Sequence, residues 1–212
     1  MKKYILLLAL LLSSTTFAVE PKFNDNFKQT KNEIETSSPG KIEVLELFWY
    51  GCIHCYSMDP YLDKWADSLP DDVVFKRVPA IPRKSWVPGA KAYFALETLG
   101  LEGKLHEKLF DAIHKEKDVD PNNEAALISW VTINGKLDEK EVKAAFNSFS
   151  IDTKLKKSYK IFKEAGATGV PTIIIDGNYM TSSTMAGGEK NAIDITNYII
   201  ENIRNDRKKT SE

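Results

Sequence analysis

The segment Ile42-Glu43-Val44-Leu45-Glu46-Leu47-Phe48-Trp49-Tyr50 is apolar, rich in branched and aromatic side chains, and broken at Gly51. A different periodicity follows at once: Met58, Leu62, Trp65 and Leu69 recur at steps of four, three and four, the stripe of an amphipathic helix. A mostly buried strand that runs straight into a helix calls for further strands beside it and helices over it, so the expected class is α/β.

The only two cysteines, Cys52 and Cys55, stand at that junction, three residues apart. A bond between them closes a very small ring, constrains little of the unfolded chain and makes a poor staple, so reactivity is the better explanation for the pair. If Cys52 opens the helix, its sulfur faces amides without intrahelical partners and the positive end of the helix dipole, which favour thiolate over thiol. Cys55 falls one turn on, where Cα separations approach the roughly 4.4–6.8 Å that a disulfide requires. Metal binding fares worse. His54 sits between the cysteines, and His106 and His114 fall in a helical stretch where they are expected to face solvent. Covalent haem needs histidine directly after the second cysteine, where Tyr56 stands.

The N-terminus has a short basic region, Met1-Lys2-Lys3-Tyr4, then the apolar run Ile5 to Leu12 and small residues up to Ala18. This reads as a secretory signal over residues 1–18, cut after Ala18. Roughly 190 residues then remain, enough for one domain with an insertion or for two small domains. With 29 Lys and Arg against 30 Asp and Glu, interspersed, no electrostatic footprint for nucleic acid is evident. In an oxidising compartment the cysteine pair is expected as a disulfide or in exchange.

Residues 19–40 are polar and read as an extension with one edge strand. Val73 to Val78 reads as a second core strand, and Pro79, Pro82 and Pro88 mark a long connection. From about Gly89 to Phe162 the pattern is helical. Gly100 and Gly103 separate a helix bearing Tyr93, Phe94 and Leu96 from one bearing Leu105, Phe110 and Ile113. Asp120-Pro121 is expected to cap the next helix and Asn134-Gly135 to end it, while Asp138 to Glu141 resembles a capping box. Ile151, Leu155, Tyr159 and Phe162 form a last stripe before Gly166. Thr172 to Ile175 and Tyr179 to Thr181 flank Asp176-Gly177-Asn178 as a hairpin, and Ala192, Ile195, Ile199 and Ile203 mark a closing helix before a charged, frayed tail.

Cys52-x-x-Cys55 after an apolar strand, Pro60 eight positions beyond the first cysteine, and Val170-Pro171-Thr172 entering a later strand resemble the thioredoxin fold. The helical block between the second strand and Val170-Pro171 narrows this to the DsbA-type thiol:disulfide oxidoreductases of bacterial envelopes. Val44 to Phe48, Phe75 to Pro79, Asn147-Ser148-Phe149 and Gly169 to Thr172 carry the likeness through nearly all of the mature chain. It implies a thioredoxin-like domain in two parts, 19–82 and 164–212, with a helical insertion over 83–163.

The resemblance also implies roles. Cys52 is the nucleophile, Cys55 the buried resolving thiol, His54 a stabiliser of the thiolate, and Glu46 a buried acid serving Cys55. Apart from the resemblance, Lys76 on the second strand reads equally as a countercharge for Glu46 or as a solvated strand lysine. Val170 and Pro171, joined by a cis peptide bond, face Cys52 and bind substrate together with Ile53, which stands where proline is frequent in the family. Trp86 is a candidate for the groove rim. No cofactor beyond the Cys52–Cys55 disulfide and no metal is implied. The implied partners are reduced or unfolded exported proteins and a DsbB-like, quinone-linked membrane protein; the implied state is a periplasmic monomer. Rival functions are isomerase or reductase on the same fold, and a non-catalytic peptide-binding chaperone.

Overall fold

The computed structural model describes residues 21–210; the expected signal peptide, residues 1–18, lies outside them. In chain order the elements are β1 (Lys28–Gln29), β2 (Ile42–Phe48), α1 (Ile53–Ala66), β3 (Val73–Pro79), α2 (Val87–Thr98), α3 (Glu102–Asp111), α4 (Glu124–Gly135), α5 (Glu139–Phe146), α6 (Phe149–Ala165), β4 (Thr172–Ile175), β5 (Tyr179–Thr181), α7 (Ser183–Ala186) and α8 (Glu189–Lys209). A 3-10 turn, Lys84–Trp86, precedes α2, and a π-helical turn, Ala112–Glu116, follows α3.

The sheet order is β1-β5-β4-β2-β3. β2 and β3 are parallel, joined through α1, and the other neighbours are antiparallel. All seven residues of β2 are buried, because strands flank it on both edges and helices cover both faces. Alternation along the strand divides it. Ile42 and Val44 pack with Met58, Leu62 and Trp65 of α1 and Ala192, Ile195 and Ile199 of α8. Leu45 and Leu47 face the other way, toward Ile161 and Ala165 of α6. A third cluster joins Phe48, Tyr50 and Cys55 to the inserted helices α2–α6, so the end of β2 is anchored in the insertion.

Several local signals act as expected. Asp138 caps α5 by accepting the Lys140 N–H, and Gly166 ends α6 at φ 67°. Others are overruled. Asp120-Pro121 lies ahead of α4 without capping it; Asn123 does so, accepting the Ala126 N–H. β3 is an edge strand, half-buried over most of its length, rather than a core strand. Tyr159 is exposed, and α6 buries Ile151, Ser158, Ile161 and Ala165 instead. The C-terminal tail stays helical to Lys209 because Arg204 pairs with Asp72 and Arg207 with Asp176.

The β4–β5 turn carries positive φ at Asp176 (51°) and Gly177 (69°). The Gly177 carbonyl accepts from Ile34 N–H and Thr30 Oγ1, tying the N-terminal extension to the sheet. A Cβ at Gly177 would stand 2.0 Å from the Ile34 carbonyl oxygen. Gly177→Ala is therefore expected to cost about 2 kcal/mol or more, from the left-handed backbone plus the collision. Gly100→Ala, also at positive φ but in open space, is expected to show only the conformational cost of about 1 kcal/mol. Urea unfolding of both variants measures the difference.

Candidate active site

Cys52 is the N-cap of α1, one place earlier than its first residue. Its backbone is extended (φ −93°, ψ 112°) and its Sγ accepts the Cys55 N–H at 3.2 Å. The position suits a thiolate: amides converge on the sulfur, and the backbone before it is held by the Cys52 N–H to Trp49 O bond of 2.9 Å. Cys55, one turn on, is fully buried, and both cysteines are free thiols.

The two thiols are displaced in opposite directions. Cys52 is lowered to about 7, chiefly by the hydrogen bond from the Cys55 thiol; burial opposes this, and the Cys55 and His54 amides and the charge of His54 add to it. Cys55 is pushed well above the ordinary thiol value by burial, by sharing its proton with Cys52, and by the charges of Cys52 and Glu46. Ionisation of the pair is thus concentrated on the outer sulfur.

The chain returns to this place 118 residues later. The Val170-Pro171 peptide bond is cis, and the Cys52 thiol donates to the Val170 carbonyl at 3.4 Å. Thr172 Oγ1 donates to Gly169 O at 2.9 Å and closes the loop around buried Pro171. A cleft of about 260 Å³ opens beside it, lined by Val170, Pro171, Thr172, Met180, Ser182 and Met185. Ile53 is 52% exposed beside Cys52, and His54 is exposed as well. Trp86 stacks flat on Trp49 at 4.2 Å, with Arg83 over its outer face. The Trp49 ring in turn lies against Gly51, where any Cβ would meet the indole at 2.4 Å.

Beneath the cysteines lies a buried ionic network. Glu46 is 1% exposed and its carboxyl is raised to about 8, by burial first, against the pull of Arg77. Its countercharge is Arg77 rather than Lys76. In the parallel register Glu46 pairs with Arg77 and Leu45 with Lys76, so Arg77 shares the α1-facing side with Glu46. Lys76, on the opposite side, pairs with Glu43 at 2.7 Å. Glu46 Oε2 and Arg77 Nε are 3.4 Å apart, in charge contact but outside hydrogen-bond geometry. The Arg77 guanidinium also reaches Asp59 at 2.9 Å, Asp63, and Glu102 at 3.8 Å.

His106 and His114, expected in solvent, belong to this region. His106 is 4% exposed; its Nε2 faces Asp59 Oδ1 at 3.2 Å and its Nδ1 the Tyr50 hydroxyl at 2.8 Å. The rings of Phe48, Tyr93 and Phe110 surround it edge-on. His114 Nε2 lies 2.7 Å from the Tyr50 carbonyl, and its ring stacks on Tyr56. A stripe at 106, 109, 110, 113 and 114 was available in the sequence, but the two imidazoles on it gave no sign of the polar partners that make their burial tolerable.

Among the described residues no group of three or more His, Cys, Asp or Glu side chains could hold a metal ion, and no helix is long and apolar enough to cross a membrane.

Residues 78–192 match the family model of the DSBA-like thioredoxin domain. A thiol:disulfide interchange protein DsbA of Azotobacter vinelandii is 35% identical over 86% of this chain and 85% of its own length. That of Pseudomonas aeruginosa is 34% identical over 97% and 99%. The chain belongs to the DsbA-like family. The crystal structure of Pseudomonas aeruginosa DsbA superposes with a TM-score of 0.82 at 32% identity, covering 89% of this chain and 97% of that one. Xylella fastidiosa DsbA gives 0.81 at 28% identity, covering 87% and 98%. The architecture is accordingly a thioredoxin-like fold with a helical insertion.

The raised Glu46 carboxyl has a consequence for stability. The fold binds this proton more tightly than the unfolded chain does, so the contribution is complete below pH 4.5 and is lost as pH rises toward about 8. Glu46→Gln, which cannot ionise, is expected to hold its stability across that interval while the wild type declines. By the upper end the variant should be ahead by on the order of a few kcal/mol. Urea unfolding at a series of pH values reads this directly, and parallel curves for the two proteins would contradict it.

Proposed function

We propose that this protein is a thiol:disulfide oxidoreductase that donates a Cys52–Cys55 disulfide to exported proteins during oxidative folding. The observation that carries the reading is the asymmetry of the pair: an outer sulfur at a helix N-cap, lowered to about 7 and facing the Val170 carbonyl, over an inner sulfur that is buried and raised. Membership of the DsbA-like family supports the same reading.

In the oxidised protein a substrate thiolate attacks Cys52 Sγ. The Cys52–Cys55 bond breaks, a mixed disulfide forms, and Cys55 leaves with the electron pair. A thiolate there is disfavoured by burial, so Cys55 takes up a proton, with Glu46 as the nearby buried acid. A second substrate thiolate then attacks the substrate sulfur of the mixed disulfide. Cys52 departs as a thiolate stabilised by the Cys55 and His54 amides, and the substrate leaves with one new disulfide. The substrate loses two electrons and two protons; the enzyme gains both electrons and one proton, on Cys55, and the other proton passes to solvent. Val170 and Pro171 flank an extended substrate segment, and exposed Ile53 supplies an apolar contact next to the reacting sulfur. No cofactor beyond the disulfide is needed for this half-reaction. A DsbB-like, quinone-linked membrane protein restores the disulfide, and the protein works as a periplasmic monomer.

Equilibration with glutathione, together with reoxidation of a reduced unfolded protein, tests the proposal. Cys52→Ala is expected to abolish substrate oxidation; retained function in a variant lacking both cysteines would favour a chaperone instead. Recovery of the protein from its compartment with both thiols reduced would favour an isomerase or reductase. His54→Ala should make the protein less oxidising, by roughly 30 mV for each unit that the Cys52 pKa rises. An unchanged potential would remove His54 from the mechanism.

A further inference from the structure

Tyr50 is fully buried, two residues before Cys52, and both of its polar ends point at histidines of the helical insertion. Its hydroxyl meets His106 Nδ1. Its carbonyl, just beyond the end of β2, lies 2.7 Å from His114 Nε2. A carbonyl oxygen can only accept, so Nε2 carries the proton and His114 is the donor. The histidine is presented from the π-helical turn Ala112–Glu116, a widened turn closed by the Asp118 N–H to Ala112 O bond.

The same imidazole lies flat on Tyr56, the residue after Cys55, at 5.1 Å and 16°. Tyr56 is fixed at its other end by a 2.7 Å hydrogen bond to Asp111, and its N–H bonds to Cys52 O at 3.0 Å. One side chain of the insertion therefore touches the backbone ahead of Cys52 and the first turn of the helix behind it. The turn is also backed by the Trp49 indole against Gly51.

We propose that His114 is a positioning residue for Cys52, its hydrogen bond to the Tyr50 carbonyl holding the turn that aims the sulfur at the helix amides while the Tyr56 ring keeps the imidazole in place. The proposal rests on the reading of Cys52 as the nucleophile. A freed Tyr50–Gly51 peptide could rotate, and Cys52 would lose alignment with the Cys55 N–H, whose 3.2 Å contact depends on the N-cap conformation.

Two substitutions separate the contacts. His114→Phe keeps a ring over Tyr56 and loses the donor; His114→Gln keeps a donor near the Nε2 position and loses the ring. Thiolate absorbance of Cys52 is followed against pH, with the redox potential from glutathione equilibration and circular dichroism to monitor folding. His114→Phe is expected to move the midpoint upward from about 7 by about half a unit or more, roughly threefold less thiolate at a fixed pH below the midpoint, and to make the protein less oxidising. His114→Gln is expected to restore the wild-type midpoint. If His114→Phe does not fold, His114→Ala removes the donor together with the ring, and the glutamine variant, which also lacks the ring, serves as its control.

A wild-type midpoint and potential in the donorless variant overturns the proposal while leaving the reading of Cys52 intact. Equal displacement in the glutamine variant also overturns it, because the hydrogen bond would then not be the cause. A wild-type protein with no lowered midpoint in the same titration would overturn both readings.

Discussion

A central strand buried on both faces carries two carboxyl groups, and much of the surrounding structure answers that fact. Glu43 and Glu46 point to opposite sides of β2, so one cation cannot serve both; β3, lying parallel beside it, delivers Lys76 to one face and Arg77 to the other. Arg77 then does more than face Glu46. Its guanidinium gathers Asp59 and Asp63 from α1 and Glu102 from α3, tying the strand, the cysteine-bearing helix and the insertion at one point. A buried guanidinium is tolerable only with this degree of pairing, and a partial set would cost more than an apolar core. Asp59 illustrates the balance: burial works to raise its carboxyl, yet the hydrogen bond from His106 and the Arg77 guanidinium hold it below the usual carboxylate range.

The insertion is therefore part of the site's foundation. Phe48 and Tyr50 at the end of β2 pack into the helical core rather than against the sheet helices, and His106 and His114 reach back from α3 and the π-helical turn to hold Tyr50. The strand-to-helix turn carrying Cys52 is braced at Tyr50 by the His106 and His114 imidazoles and at Gly51 by the Trp49 indole, itself stacked on Trp86. A thiol whose ionisation depends on hydrogen bonds needs such bracing, because those bonds weaken steeply with small changes of angle and distance.

What could be read along the chain was whatever is set over a few neighbouring residues. The strand-to-helix junction at Gly51, the amphipathic faces of α1 and α8, the Asp138 cap, the left-handed stop at Gly166 and the Asp176-Gly177 turn all depend on near neighbours, and all were legible. What was left open or misread turns mostly on distant partners. Lys76 and Arg77 are adjacent, and which of them meets Glu46 depends on strand register, set by long-range pairing. Asp120-Pro121 is a sound helix start in isolation, but Asn123 stands three residues later with the same chemistry. Histidines on an amphipathic stretch look solvent-facing unless their partners, 47 to 64 positions away, are known.

The sequence by itself determined that two cysteines occupy the start of a helix behind a buried strand, since spacing, glycine and periodicity are local properties of the polymer. It also carried, in Cys52-x-x-Cys55 and Val170-Pro171, the likeness that places the chain in its family. Only the tertiary structure decided what surrounds the sulfur: that Val170 returns to Cys52 across 118 residues, that Arg77 rather than Lys76 answers Glu46, and that two histidines of the insertion hold Tyr50. Those relations are set by strand register and by the docking of the insertion. Thiol ionisation responds to charges and donors a few ångströms away in space, wherever they lie along the chain.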